Sequence, residues 1–458
     1  NPHLFEMANI RNQCSWVHSD DKSAATEKSK SLVRMAVARS VKLQSLKVRE
    51  VPVNHTALII GGGAAGMTAA LCLAEQGFPV HLVEREPALG GNLRFLRYFI
   101  PTDGDTLNPQ EYLAEMVLKI EEHPLIQVHT NSELLETGGF KGNFSSTLLE
   151  DGAFSKVEHG AIIVATGGVE YKGTEYGCGD DPRILTQLEF ERYLAGDPEP
   201  GIMIGEPPAS VVMIQCVGPA EHYCSRICCS TALKNALKLK EISPVADITL
   251  LYRDMRTFGF KERLYTRARA EGVRFIHFDF DDKPLVSVGG PESKLNVSVK
   301  DPILDREFLL EPEMIVLSTP VVSPPGMREI AKRLKLSIDM DGFFLEAHVK
   351  LRPVDFAADG IFMAGLAHYP KFLDESIAQA KAAASRAASI LSKKTMLTNA
   401  QVAVVDPLLC VGCLTCVRIC PYEVPQVSAD FSGVGNIIGA AYIQPAICHG
   451  CGTCVSEC

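Results

Sequence analysis

The sequence predicts an α/β chain of two dinucleotide-binding-type domains followed by a small α+β domain built around cysteines. Three observations carry this. Residues 57–84 read ALIIGGGAAGMTAALCLAEQGFPVHLVE: a strand, a GxGxxG turn, a helix and a second strand ending on an acid. Residues 211–253 repeat the strand–helix–strand plan, with cysteines where the glycines belong. Two matching runs of four cysteines close the chain.

In the first unit each glycine has a task. Gly61 makes the tight turn, Gly63 lets backbone approach a pyrophosphate, and Gly66 lets helix and strand pack closely. Ala64 and Ala65 open the helix, whose free N–H groups and positive dipole end face the phosphates. Glu84, 23 residues after Gly61, is placed to accept hydrogen bonds from ribose hydroxyls. Gly91 and Asn92 lead a segment, 92–102, expected to curve over the cofactor. AIIVATGG at 161–168 predicts a strand ending in a turn that holds Thr166 and Gly167.

Residues 311–395 are expected to complete the domain begun by 51–205. Met314–Thr319 reads as one strand and 359–365 as another, leading through Gly365 and Lys371 into an Ala-rich helix at 376–390. A first βαβ unit paired with a returning C-terminal segment favours FAD over NAD, the returning turn facing the phosphates and isoalloxazine. Between the two parts, 206–310 is laid out as an inserted nicotinamide-type domain. Its turn reads QCVGPAEHYCSRICCS, so the phosphate loop is replaced and NAD(P)H is not expected to bind in the usual way.

Composition sets the outer limits. At 458 residues the chain exceeds what one core holds, so several domains are expected. Hydrophobic residues make up 46% and charged ones 22%, an ordinary globular balance. The net charge of −10 argues against a nucleic-acid partner. The uncharged stretch 58–74 is broken by four glycines and already serves the turn, so no membrane span is expected. No secretory signal is read at the start, which lacks Met, and the chain ends on Cys458; this reads as a fragment, or as a chain trimmed at both ends.

The 15 cysteines are grouped: eight fall in the last 49 residues and four between Cys216 and Cys229. Such spacing points to metal clusters in a reducing, cytoplasmic and anaerobic setting, and not to disulfides. Cys410, Cys413, Cys416 and Cys420, followed by Pro421, and then Cys448, Cys451, Cys454 and Cys458 form the bacterial two-cluster ferredoxin pattern, residues 400–458. In it the fourth cysteine of each run serves the other cluster. One [4Fe–4S] cluster is therefore assigned to Cys410, Cys413, Cys416 and Cys458, the second to Cys448, Cys451, Cys454 and Cys420. Cys216, Cys224, Cys228 and Cys229 gather four thiols around one strand–helix turn, a set that suits a third [4Fe–4S] cluster, a redox dithiol or zinc. Cys72 and Cys178 read as isolated buried thiols.

Residues 1–50 read as the helical remnant of a further domain. A helix at 23–43 places Leu32, Met35, Ala36 and Val41 for one buried face. Cys14 reads either as a cluster ligand completed elsewhere or as a buried thiol.

The whole combination resembles the flavin-carrying, electron-bifurcating subunit of heterodisulfide reductase found in methanogens, with relatives in other anaerobes. FEMANIRNQCSWVH, LVRMAVARS, IIGGGAAGMTAAL, VATGG, QCVG, YCSRICC, DGFFLEAHVKLRPVDFAADGIFMAG and the ferredoxin runs carry the resemblance across nearly the whole chain. It implies a thioredoxin reductase-like flavoprotein with two dinucleotide-binding domains plus the ferredoxin domain, and a cluster on Cys216, Cys224, Cys228 and Cys229. Two departures stand out: the family's fuller N-terminal domain is largely absent, and the turn LAHYPKFLDES replaces a Cys-Ala-Gln-Gly-Pro-Lys type turn.

The function expected is that of an FAD and iron–sulfur oxidoreductase subunit. It would divide flavin electrons between ferredoxin and a disulfide such as CoM-S-S-CoB on a partner subunit. Partners implied are other heterodisulfide reductase-type subunits, hydrogenase or formate dehydrogenase subunits, ferredoxin and a second copy of the chain. Lys261, in RTFGFKE, reads either as a basic residue meeting the flavin N5 edge or as a solvated surface lysine. Two rival functions are a non-bifurcating flavin subunit of a membrane quinone-linked complex and an NAD(P)H-dependent flavin reductase. The cysteine-filled turn argues against the latter.

Overall fold

The computed structural model describes residues 2–100, 108–197, 205–289 and 294–458. It falls into two compact units, Val53–Lys394 and a second made of Asn1–Pro52 and Thr395–Cys458.

The first sheet of the larger unit runs Ile361–Met363, Ala161–Val164, Ala57–Ile60, Val80–Val83, Ile126–His129, every pair parallel. Its central strands are short and wholly buried, as a parallel sheet covered on both faces requires. The helix Ala64–Ala74 packs against Leu373–Leu391. Both present buried alanines, among them Ala69, Ala70, Ala380 and Ala384, so their backbones approach closely. Strand order reverses between Ala57–Ile60 and Ala161–Val164, and beyond the carboxyl ends of such a pair open α/β sheets bind their ligands.

A second parallel sheet runs Ile184–Thr186, Met314–Leu317, Ser210–Ile214, Asp247–Tyr252, Arg274–His277. The helix Cys228–Ile242 covers one face, setting Ala232, Leu233 and Ala236 against Val211 and Met213. An antiparallel sheet packs Leu295, Val297 and Val299 onto the other, against Val212 and Ile214. Here the order reverses between Ser210–Ile214 and Met314–Leu317, and Cys216 follows directly.

Two sequence expectations are corrected. Met314–Leu317, expected to complete the first domain, lies inside the second sheet between Ile184–Thr186 and Ser210–Ile214. Ile184–Thr186 and the helix Gln187–Leu194, expected in the first domain, belong to the second as well. The chain passes between domains through Val169–Glu170, paired antiparallel with Val321–Val322. The boundaries therefore fall there, and not at 205 and 311. A four-residue apolar run such as MIVL suits either parallel sheet, so its own residues did not decide its place.

Beyond these crossovers a buried charge pair inside the second domain grips the Arg97–Tyr98 backbone of the first, Lys234 donating to the Tyr98 carbonyl at 3.0 Å. Glu191 and Lys234 meet at 2.5 Å, and Glu191 also accepts the Arg97 and Tyr98 N–H groups at 2.6 and 2.8 Å. Removing one partner of such a buried pair costs about 3–5 kcal/mol, because a bare charge is left behind. The segment expected to curve over the cofactor is thereby held at its far part; its end, Thr102, lies outside the described residues.

In the smaller unit, Asp21 caps the helix Lys22–Ser40 by accepting the Ser23 and Ala24 N–H groups at 3.0 and 2.9 Å. The buried face predicted for this helix is absent: Met35 and Val41 are 59% and 83% exposed, while Leu32 and Ala36 are half-buried. Helical spacing marks an apolar stripe but does not supply the surface that covers it. Cys14 is buried within the short helix Arg11–Ser15. Glu50–Pro52 pairs antiparallel with Thr395–Leu397. The cysteine runs that follow surround the hairpin Pro425–Ser432 and Ile438–Ile443 and two short helices, Thr415–Ile419 and Thr453–Glu457. Among the described residues no helix is long and apolar enough to cross a membrane.

Candidate functional site

The glycine turn sits at the reversal point of the first sheet. Gly61 has φ +111°, a conformation open to glycine, and a Cβ there would lie 2.3 Å from the Ala165 carbonyl oxygen. A Cβ on Gly66 would lie 1.8 Å from the Gly61 carbonyl, so the helix packs onto the turn with no room to spare. Gly63 differs. It precedes the helix Ala64–Ala74, and a Cβ on it would meet nothing nearer than the Gly91 Cα at 3.9 Å. The fold does not require glycine there, and the backbone lies open as the approach of a pyrophosphate would need.

Glu84 closes the cradle. It is only 7% exposed, and its Oε2 and Oε1 accept the Gly62 and Glu86 N–H groups at 2.6 and 3.0 Å. A carboxylate has about four lone-pair sites, so acceptor capacity remains for a pair of hydroxyls. Asn92 donates to the Gly168 carbonyl at 2.9 Å, joining the segment after Gly91 to the Thr166–Gly167 turn. Thr166 itself turns its hydroxyl to the Met327 sulfur at 3.4 Å. Gly365 lies against the helix start: a Cβ on it would approach the Ala65 Cβ to 2.7 Å. Gly61, Gly63, Ala64, Ala65, Gly66, Glu84, Gly91, Asn92, Thr166, Gly167 and Gly365 thus gather around one helix start with backbone donors and little side-chain bulk, a composition that suits FAD.

Lys371 is buried at the foot of the returning turn, 5% exposed. Its amine meets the Gln379 Oε1, which also accepts the Gly365 N–H at 3.0 Å. Burial, with a smaller contribution from Arg226, pulls its pKa down to about 7. Gln379 reaches His368, which pairs with Glu346 at 2.8 Å. Nothing in the local sequence marks Gln379, Glu346 or the burial of Lys371, since each contact depends on the returning chain. Lys261 comes from the second domain and sets its ammonium 4.0 Å from the Phe372 ring centroid, next to Lys371 in sequence.

The four middle cysteines follow the reversal point of the second sheet, near enough for their charges to act on one another. Burial and then the negative charges of Cys229, Cys216 and Cys224 raise the Cys228 thiol well above its ordinary value. Cys216 is pushed up to about 11, by burial first, while Arg253 opposes. Cys216 has φ +59°, a conformation rare for a side-chain-bearing residue, which points to a tightly constrained loop. Mutually raised thiols are costly to ionise until a cation binds them.

The ferredoxin runs show a matching pair of environments. Cys413 contacts the Thr415 hydroxyl at 3.3 Å, and Cys451 contacts the Thr453 hydroxyl at 3.4 Å. Cys410 accepts the Ala441 N–H at 3.3 Å; Cys448 accepts those of Ala403 and Gly450, each at 3.4 Å. Cys454 is raised by burial first and then by Cys448, Cys420 and Cys451, the set read from the spacing. Cys416 is raised by burial, then by Cys413, Cys454 and Cys410. Cys458 is exposed at the chain's last position. N–H donors aimed at sulfur are what a cluster's thiolates need. Among the described residues no three Cys, His, Asp or Glu stand at the spacing of a single metal ion.

Comparison with known proteins agrees with these sites. Residues 56–95 match the FAD binding domain family and residues 403–426 the 4Fe-4S binding domain family. The chain is 36% identical to an iron-sulfur subunit of the CoB–CoM heterodisulfide reductase of Methanopyrus kandleri, over 92% of this chain and 77% of that protein. It is 33% identical to the corresponding subunit of the H2:CoB-CoM heterodisulfide,ferredoxin reductase of Methanothermobacter thermautotrophicus, over 95% of this chain and 79% of that one. Among solved structures, thioredoxin reductase of Lactococcus lactis aligns with TM-score 0.52 at 18% identity, covering 74% of this chain and 99% of that one. Thioredoxin reductase of T. acidophilum gives 0.50 at 16%, covering 73% and 96%. The fold is therefore that of a thioredoxin reductase-like flavoprotein with a ferredoxin-type addition. The chain is an oxidoreductase subunit with FAD and [4Fe–4S] sites, and it belongs to the family of flavin-carrying iron–sulfur subunits of heterodisulfide reductase.

Proposed function

We propose that this chain is the electron-dividing subunit of a heterodisulfide reductase-type complex, passing electrons to ferredoxin and to a disulfide of the CoM-S-S-CoB type on a partner subunit. The observation that carries this is the substitution of a phosphate loop by Cys216, Cys224, Cys228 and Cys229 at the second reversal point. Where a nicotinamide cofactor would enter, the chain offers thiolates. FAD, once bound, supplies the exchange between two-electron and one-electron chemistry. Gly61, Gly63, Ala64, Ala65, Gly66 and Glu84 hold its dinucleotide part; Gly91, Asn92, Thr166, Gly167 and Gly365 enclose it. Lys371, buried with a pKa near 7, sets the charge beside it and is able to hold or release a proton there. Lys261 faces the same turn from the second domain.

The cysteines supply three one-electron sites: the two ferredoxin sets and the middle set. Their partners are the other reductase subunits and ferredoxin, which the relatives' own names include. Hydrogenase or formate dehydrogenase subunits would feed the complex, and a second copy of this chain completes it within the cytoplasm.

An anaerobic cuvette tests the choice of donor. Reduced ferredoxin is expected to bleach the flavin absorbance of the purified chain rapidly, while stoichiometric NADH or NADPH leaves it unchanged over the same period. Rapid bleaching by NADH would contradict the reading and restore a nicotinamide-dependent reductase.

A further inference from the structure

Arg226 stands inside the cysteine loop, between Cys224 and Cys228, with φ +66°. A side-chain-bearing residue keeps that conformation only where its surroundings fix it. Its N–H donates to the Cys224 sulfur at 3.3 Å. Its guanidinium leaves the loop and docks on the first domain, where Nη2 donates to the Glu375 Oε1 at 2.7 Å. It also lies 5.1 Å from the Phe258 ring centroid and 5.7 Å from that of Tyr369. Glu375 is held from both sides, because its Oε2 accepts the Phe372 N–H at 2.9 Å at the start of the helix Leu373–Leu391. Burial pushes the Glu375 carboxyl up, but the Phe372 N–H, Arg226 and Lys261 together keep it below its ordinary value. Lys371 shares the Tyr369 ring, its amine 4.0 Å from the centroid. One residue thus joins a cysteine sulfur to the turn that carries Lys371.

We infer that Arg226 is a positioning residue that fixes the cysteine loop of the second domain against the Tyr369–Glu375 turn of the first, setting the gap across which single electrons pass between the flavin and the middle cysteine cluster. The inference rests on the function proposed above. Each transfer oxidises the flavin side and reduces the cluster by one electron, with no bond made or broken. The crossover strands, and the bonds from Glu191 and Lys234 to the Arg97 and Tyr98 backbone, hold the two domains together independently, so loss of Arg226 loosens this loop and leaves the domain pair intact.

The test uses the whole chain, purified anaerobically with its flavin and iron. Arg226→Ala, Arg226→Lys, Glu375→Gln and the exchanged pair Arg226→Glu with Glu375→Arg are compared by two readouts. One is hydrogen–deuterium exchange of residues 369–376; the other is the rate of electron redistribution after photoreduction by deazaflavin and EDTA. Arg226→Ala and Glu375→Gln are expected to speed amide exchange in that turn and slow redistribution by about tenfold or more, iron and flavin contents holding. Arg226→Lys and the exchanged pair recover most of both. Unchanged exchange and rates in the single variants, or an exchanged pair no better than them, overturns the inference. Should Arg226→Ala lose iron, Glu375→Gln, outside the cysteine loop, decides it. If the unaltered chain carries no middle-domain iron, the proposed function fails, and amide exchange still decides whether Arg226 holds the turn.

Discussion

Changing Cys224 and Cys228 together to Ala is expected to remove one cubane of iron from the chain. An intact anaerobic preparation should hold about twelve irons per chain, four for each of three [4Fe–4S] clusters, and the double variant about eight. Two of four thiolates are lost at a site where the remaining pair, Cys216 and Cys229, cannot retain a cluster alone. Flavin content and the ferredoxin-type EPR signals should persist, because the glycine cradle and the runs from Cys410 to Cys458 use none of these residues. Electron exchange with partner subunits should fall sharply. A double variant that keeps all its iron would show that these cysteines are not ligands, and the second domain would be a dithiol or structural unit.

Gly63→Val is expected to empty the flavin site while leaving the fold in place. A Cβ at Gly63 meets nothing in the protein nearer than 3.9 Å, so the substitution costs the unliganded chain little. It does place a branched side chain along the backbone where the pyrophosphate must come. Flavin content should drop at least about tenfold, the effect of ~1.4 kcal/mol of clash. Gly66→Val is the contrasting case, since its Cβ already lies 1.8 Å from the Gly61 carbonyl; that variant should fail to fold. A Gly63→Val chain purified with full flavin would sink the placement.

The first βαβ unit was legible because its evidence is local: three glycines at fixed spacing, an apolar strand before them and an acid after. The ferredoxin domain was legible for the same reason. What the sequence hid is non-local. Met314–Leu317 is a four-residue apolar strand, and only its pairing with Ser210–Ile214 says which sheet it joins. The apolar stripe read at 23–43 has helical spacing, yet Met35 faces solvent and Val41 falls exposed just past the helix end at Ser40. Arg226 and Glu375 are 149 residues apart, and no pattern in either segment announces their contact. Lys371 sits in a turn with Tyr369, Pro370 and Phe372, which reads as surface chemistry until the fold closes over it.

Complexed with its partner subunits, the chain should reduce ferredoxin only while a CoM-S-S-CoB-type disulfide is consumed. Supplying a two-electron donor under anaerobic conditions and following both acceptors together measures this directly. Omitting the disulfide is expected to stop ferredoxin reduction, and each turnover should deliver about equal numbers of electrons to the two acceptors. Full disulfide reduction with ferredoxin left oxidised would contradict electron division and would leave the chain a flavin electron carrier that does not divide its electrons.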